Sequence, residues 1–143
     1  MRSWLRDFFY NERSFSGVMR KAIVAIACAG LAGPAAAELF EVKLKPGEAA
    51  VKQLTVAPGK FAELCAAVLR GQSVAWQFRA DAAMDFNIHY HIEQRVEYPE
   101  QRKAVDNASG HLMVMVDQSY CWMWSNRSVA PIVLNVVMEQ VGR

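Results

Sequence analysis

At 143 residues, with 53% apolar and 21% charged side chains, the chain has the make-up of a small folded domain rather than a disordered or low-complexity segment. Its formal charge of +2 is uneven: Arg2, Arg6, Arg13, Arg20 and Lys21 stand against only Asp7 and Glu12 before Glu38, so the remainder carries −1. That remainder has no Lys/Arg stripe of the kind a phosphate backbone requires, which argues against nucleic acid as a partner.

In chain order, the first feature is a leader. Met19-Arg20-Lys21 is a short basic start, Ala22 to Gly33 is an apolar and small run, and Pro34-Ala35-Ala36-Ala37 places small side chains at cleavage positions. This predicts a signal peptide over residues 1–37, cut near Ala37. Translation starts at Met19 in this reading, with residues 1–18 upstream of the true start; an extended n-region is the alternative. Ala25-Ile26-Ala27-Cys28 loosely resembles a lipobox but lacks its Leu. The Ala-rich leader is of bacterial type, so residues 38–143 are expected as one periplasmic or secreted domain. No apolar run reaches the roughly 20 residues needed to span a bilayer, and no membrane span is expected in the mature chain.

Cys28 leaves with the leader, so the exported domain keeps Cys65 and Cys121. Two thiols in an oxidising compartment predict a structural disulfide. They lack the Cys-x-x-Cys spacing of a reactive pair. Closing so long a loop stabilises by roughly 4 kcal/mol on the chain-entropy account.

The domain itself reads as strands. Leu39 to Leu44 and Val51 to Val56 lead to the turn Pro58-Gly59. Phe61 to Leu69 follows, where Ala62, Ala66 and Ala67 would also suit a helical turn. Ser73 to Arg79 alternates, with Val74, Trp76 and Phe78 on one face. Asp85 to Ile92 repeats the device, with Phe86, Ile88, Tyr90 and Ile92 on one face and Asn87, His89 and His91 on the other. Glu93 to Gly110, with Pro99, Asp106-Asn107 and Ser109-Gly110, reads as a long connection holding a short strand at Arg95 to Tyr98. His111 to Val116, Ser119 to Ser125 and Ile132 to Met138 complete about eight short strands, which predict an all-β antiparallel sandwich of jelly-roll type or a barrel. In Ser119 to Ser125, Tyr120, Trp122 and Trp124 alternate with Cys121 and Met123, so the strand is expected to be central and covered on both faces.

Trp76-Gln77-Phe78, Asp85-Phe86-Asn87-Ile88, the Gly110 turn and Tyr120 leading to Asn126-Arg127-Ser128 together resemble the GOLD (Golgi-dynamics) domain, over about Lys52 to Val137. The resemblance implies a β-sandwich that serves protein interaction rather than catalysis, and a disulfide joining an early strand to the Tyr…Asn strand, a part Cys65 and Cys121 would play. Trp76, Phe78, Asp85, Phe86, Tyr120 and Asn126 are then structural motif residues. The coiled coil and membrane helix of the family's cargo receptors are missing from this chain, so that role does not carry over.

Two sites are expected. His89 and His91, two apart on a strand, present both imidazoles to one side, and His111, Met113 and Met115 form a second stripe. Imidazole with soft thioether suits copper(I) or silver, should the two groups converge. Asn87, His89, His91 and Glu93, with the Glu93 to Gly110 connection, form the candidate surface for an unknown protein partner. No Gly-x-Ser-x-Gly, His-Glu-x-x-His or phosphate-cradling motif is present, so a non-enzymatic interaction or accessory module without cofactor is expected, with a copper or silver protein as the alternative.

Overall fold

Ser73–Ile92 forms a single strand of 20 residues, where two shorter strands were expected from sequence. Its alternation keeps phase throughout: Val74, Trp76, Phe78, Met84, Phe86 and Ile88 are buried, and Asp85, Asn87, His89 and His91 lie on the opposite face. The computed structural model describes residues 37–141, and the leader reading lies outside that range. Within it the strands are β1 (Glu38–Glu41), β2 (Ala49–Val56), β3 (Phe61–Val68), β4 (Ser73–Ile92), β5 (Arg95–Met113), β6 (Gln118–Ser125) and β7 (Ile132–Val141). Phe61 to Val68 is thus strand, since the packing of Ala62, Leu64 and Ala66 into the core outweighs alanine's helical preference.

The seven strands form one nearly closed sheet whose two arms share β4. The first half of β4, Ser73 to Ala80, pairs with β7, which pairs with β2; its second half, Asp85 to Tyr90, pairs with β6, which pairs with β3. Along its other flank β4 pairs with β5 almost from end to end. The two arms, β2-β7-β4-β5 and β1-β3-β6-β4-β5, act as the two sheets of the sandwich and enclose one core. All pairings are antiparallel except β1 with β3, which is parallel and makes the sheet mixed.

The expected long connection over Glu93 to Gly110 is a strand. Only Glu93-Gln94 forms the turn, Glu93 at φ 54°, and β5 runs 19 residues from Arg95. Among the described residues β5 pairs with β4 alone, so its polar residues lie along an edge of the sheet. Pairing shifts between Ile88↔Glu100 and Tyr90↔Glu97, where Tyr98 and Pro99 fall in the irregularity. That is where a proline is tolerated in a sheet. A second shift brackets Lys103-Ala104, with Ala104 at φ 51°.

The core between the sheets is aromatic. Phe86 packs on Trp76 and Phe78 at 4.9 Å between ring centres, and on Trp124 at 5.6 Å. Trp122 and Trp124 are fully enclosed, and their indole N–H groups have no hydrogen-bond partner among the described residues. Each unpaired N–H costs about 1–3 kcal/mol. Burying roughly 200 Å² of indole gains about 5 kcal/mol, so the ring stays inside. At the end of β6, Asn126 is buried; its amide donates to the carbonyls of Val56 (2.9 Å) and Ala130 (2.7 Å) and accepts from the Ser128 N–H (2.8 Å).

Cys65 and Cys121 form the disulfide, with Cα atoms 4.0 Å apart. They are direct partners on neighbouring strands β3 and β6. The bridge therefore braces one sheet from within and does not stitch the two layers together, because both cysteines point to the outer face.

Gly110 is not a turn residue. It pairs with Trp76 inside the sheet, and a Cβ there would stand 2.7 Å from the indole Cζ2. Gly110→Val should lower the urea midpoint by an amount equivalent to about 1–3 kcal/mol, with Gly110→Ala intermediate. Unchanged midpoints in both variants would show that Trp76 does not lie over this position.

Candidate functional site

The outer face of β3-β6-β4 holds a group of sheltered polar side chains. Across the strands, Cys65, Cys121 and His89 form one row, and Glu63, Met123 and Asn87 form the next. Because β6 lies between them, Glu63 and His89 approach each other over its surface. Glu63 Oε1 stands 3.9 Å from His89 Nε2, with side chains only 13% and 8% exposed. The other ring nitrogen, Nδ1, is 2.9 Å from Asn87 Oδ1. With the Asn87 amide oxygen as acceptor, the proton sits on Nδ1 and the lone pair on Nε2, the atom nearer Glu63.

His91 and Tyr98 frame the opening. The ring of His91 is 5.5 Å from that of His89, and the ring of Tyr98 is 5.9 Å from it. Burial, then the neighbouring His91, pushes the His89 imidazole below its ordinary pKa. Burial pushes the Glu63 carboxyl up, opposed by His91. Cys121 Sγ also lies within 4.8 Å of these groups, but it is bonded to Cys65 and offers no thiolate.

The expected His–Met convergence does not occur. His111 pairs with Ala75 and Met113 with Ser73, at the opposite end of the hairpin from His91, which pairs with Val96. His111, Met113 and Met115 are exposed there, beside the other sheet. The expected interaction surface is also revised, since His89 is buried while Asn87 is half-buried and His91 and Glu93 are exposed. Glu63 was missed from sequence. It is the one acid in the otherwise apolar Phe61–Val68 run, and strand alternation would have set it beside Cys65 on one face.

Asp85 lies on the same outer face and fastens the rim. Its carboxylate accepts from Arg127 Nε, from Lys103 Nζ at 3.1 Å and from the Ala104 N–H at 3.2 Å, holding the irregular part of β5 against β4. The Arg127 guanidinium, with smaller help from Lys103 and Ala104 and against partial burial, keeps this carboxyl below its ordinary pKa.

No family model matches the chain, and no curated protein matches it significantly. Solved structures do. The pre-peptidase C-terminal domain of a collagenase from Bacillus anthracis aligns at TM-score 0.56 and 7% identity, over 73% of this chain and 97% of that one. PliG from Aeromonas hydrophila, a periplasmic lysozyme inhibitor of g-type lysozyme, aligns at TM-score 0.51 and 13% identity, over 73% of this chain and 100% of that one. PliG from Salmonella Typhimurium aligns at TM-score 0.51 and 9% identity, over 73% and 99%. At such identities the likeness establishes the small all-β sandwich or barrel fold alone.

A pH prediction follows from Asp85. A carboxyl with a depressed folded pKa adds stability above its unfolded pKa of about 3.9, and that stability is lost as pH falls through the folded value. Wild type should therefore exceed Asp85→Asn in urea midpoint at neutral pH, with the gap closing well below about pH 4. A gap that persists undiminished into strong acid would contradict this.

Proposed function

We propose that the domain is an exported, non-catalytic protein-binding module whose contact surface is the outer face of the β1-β3-β6-β4-β5 sheet. The observation that carries this reading is the ring of exposed apolar side chains around the sheltered polar centre. Leu39, beside Glu63 on β1, is 61% exposed, and Tyr98 on β5 is 49% exposed; Phe61 and Val96 are exposed as well. Val96 is the partner of His91 and Phe61 the partner of Ser125, so both flank the same face. A sheet face serving only as a solvated wall would carry charge and small polar groups at these positions. Aromatic and aliphatic side chains around a few oriented polar groups are the composition of a recognition surface.

Other observations support the class of role. The periplasmic inhibitors with a like fold bind a protein, g-type lysozyme, from which they take their name. The GOLD-like motif residues Trp76, Phe78, Asp85, Phe86, Tyr120 and Asn126 point the same way, toward interaction without catalysis. The Cys65–Cys121 disulfide suits an oxidising compartment such as the periplasm.

Tagged domain cross-linked in a periplasmic extract should capture a partner that Val96→Asp with Tyr98→Ala loses. Val51→Asp, on the outside of the other sheet, should retain it. Capture that survives the first pair and fails with the second would move the surface to β2-β7. Direct assay against g-type lysozyme separates an inhibitor from the wider class, since an inhibitor slows cell-wall hydrolysis in proportion to its concentration.

A further inference from the structure

We propose that Glu63, His89 and His91 form a binding site for one borderline divalent transition-metal ion, copper(II) or zinc(II), on the outer face of the β3-β6-β4 sheet. The site goes beyond the protein-binding role and uses a donor set different from the His–Met group suggested by sequence.

The argument starts from the gap between Glu63 and His89. An O···N separation of 3.9 Å is too long for a hydrogen bond. It is shorter than twice a metal–ligand bond of roughly 2.0–2.2 Å, so a single ion between the two atoms reaches both. Neither Nε2 nor the Glu63 carboxylate makes a hydrogen bond among the described residues, although the His89 side chain is more than nine-tenths buried. Neither belongs to the fully buried atoms left without a partner, which among the described residues are the Trp122 and Trp124 indole nitrogens, so the gap is open enough to take a ligand from solvent. An ion placed between them satisfies both.

Asn87 is placed as metal ligation by His89 requires. Asn87 Oδ1 takes the Nδ1 proton and leaves Nε2 as the donor atom, which is the outer-shell hydrogen bond that fixes a ligating histidine. His91 is exposed with its ring 5.5 Å from that of His89; its nitrogens are not among the donor atoms already gathered with Glu63 and His89, so it joins the set only by turning its side chain. Three protein donors then leave a fourth position open to water or to a group from a partner. Beneath them, the disulfide ties β3, which carries Glu63, to β6, whose Cys121 is the partner of His89. That link limits how far the two ligands drift apart.

The donor atoms select the ion. Two imidazoles and a carboxylate suit zinc(II) and, more strongly, copper(II) by the Irving–Williams order. The thioethers that would favour copper(I) or silver, Met113 and Met115, stand at the other end of the hairpin.

The test uses the metal-stripped mature protein titrated with zinc chloride by calorimetry, and with copper(II) chloride followed by electron paramagnetic resonance. The proposal expects saturation at one equivalent and nitrogen hyperfine structure in the copper spectrum. Glu63→Gln and His91→Ala, an isosteric change and an exposed one that leave the core alone, should each weaken affinity at least about tenfold, and Asn87→Ala by about tenfold or more. His111→Ala should leave it within about twofold. The proposal is overturned by absence of saturable binding of either ion, or by binding that Glu63→Gln and His91→Ala leave within twofold, whatever His111→Ala does.

Discussion

The unbroken phase of β4 is the constraint on which the rest of the structure depends. A strand side chain can point only in or out, and a slip of one residue would exchange the two sets. Over Ser73–Ile92 the even positions supply Trp76, Phe78, Met84, Phe86 and Ile88 to the core, while the odd ones supply Asp85, Asn87, His89 and His91 to the outer face. Between Ala80, the last residue paired with β7, and Asp85, the first paired with β6, the phase does not change. One strand can therefore join β7 in one sheet and β6 in the other, and the aromatic cluster of Phe86 with Trp76, Phe78 and Trp124 spans both.

The same phase builds the site. With core residues fixed inside, His89 has no choice but to stand outside, over a strand whose Cys121 is bound sideways to β3. Glu63 approaches from that third strand, and β5 adds Tyr98 and Val96 at the rim. Polar atoms are thus held in fixed relation by four strands and a covalent bridge. The loop residue Arg127 contributes only at the rim, through Asp85. Such an arrangement is pre-organised, and pre-organisation lowers the ordering cost of binding.

Much of this was legible in the residue pattern. Alternation in Val74-Trp76-Phe78 and Phe86-Ile88-Tyr90 announced strands and an inner face, and two cysteines in an exported domain announced a bridge. What misled was β5. Its Pro99, Asp106-Asn107 and Ser109-Gly110 are turn formers by local chemistry, yet an edge strand has only one flank to satisfy and tolerates polar residues, proline and bulges. Gly110 is demanded by the indole of Trp76, a contact between strands that local chemistry cannot reveal. The Glu63–His89 approach was hidden for a similar reason, since it depends on β6 lying between β3 and β4. Register between distant strands is what composition leaves open.

Backbone amide hydrogen exchange across residues 93–113 tests the account most directly, because the placement of Tyr98, Val96 and the entire rim rests on β5 being one strand paired along β4. The account predicts alternating protection from Arg95 to Met113, with slow amides directed at β4, fast ones at the free edge, and breaks near Pro99 and Ala104. Uniformly fast exchange from Glu93 to Gly110 would contradict it, leaving a loop where the structure has a strand.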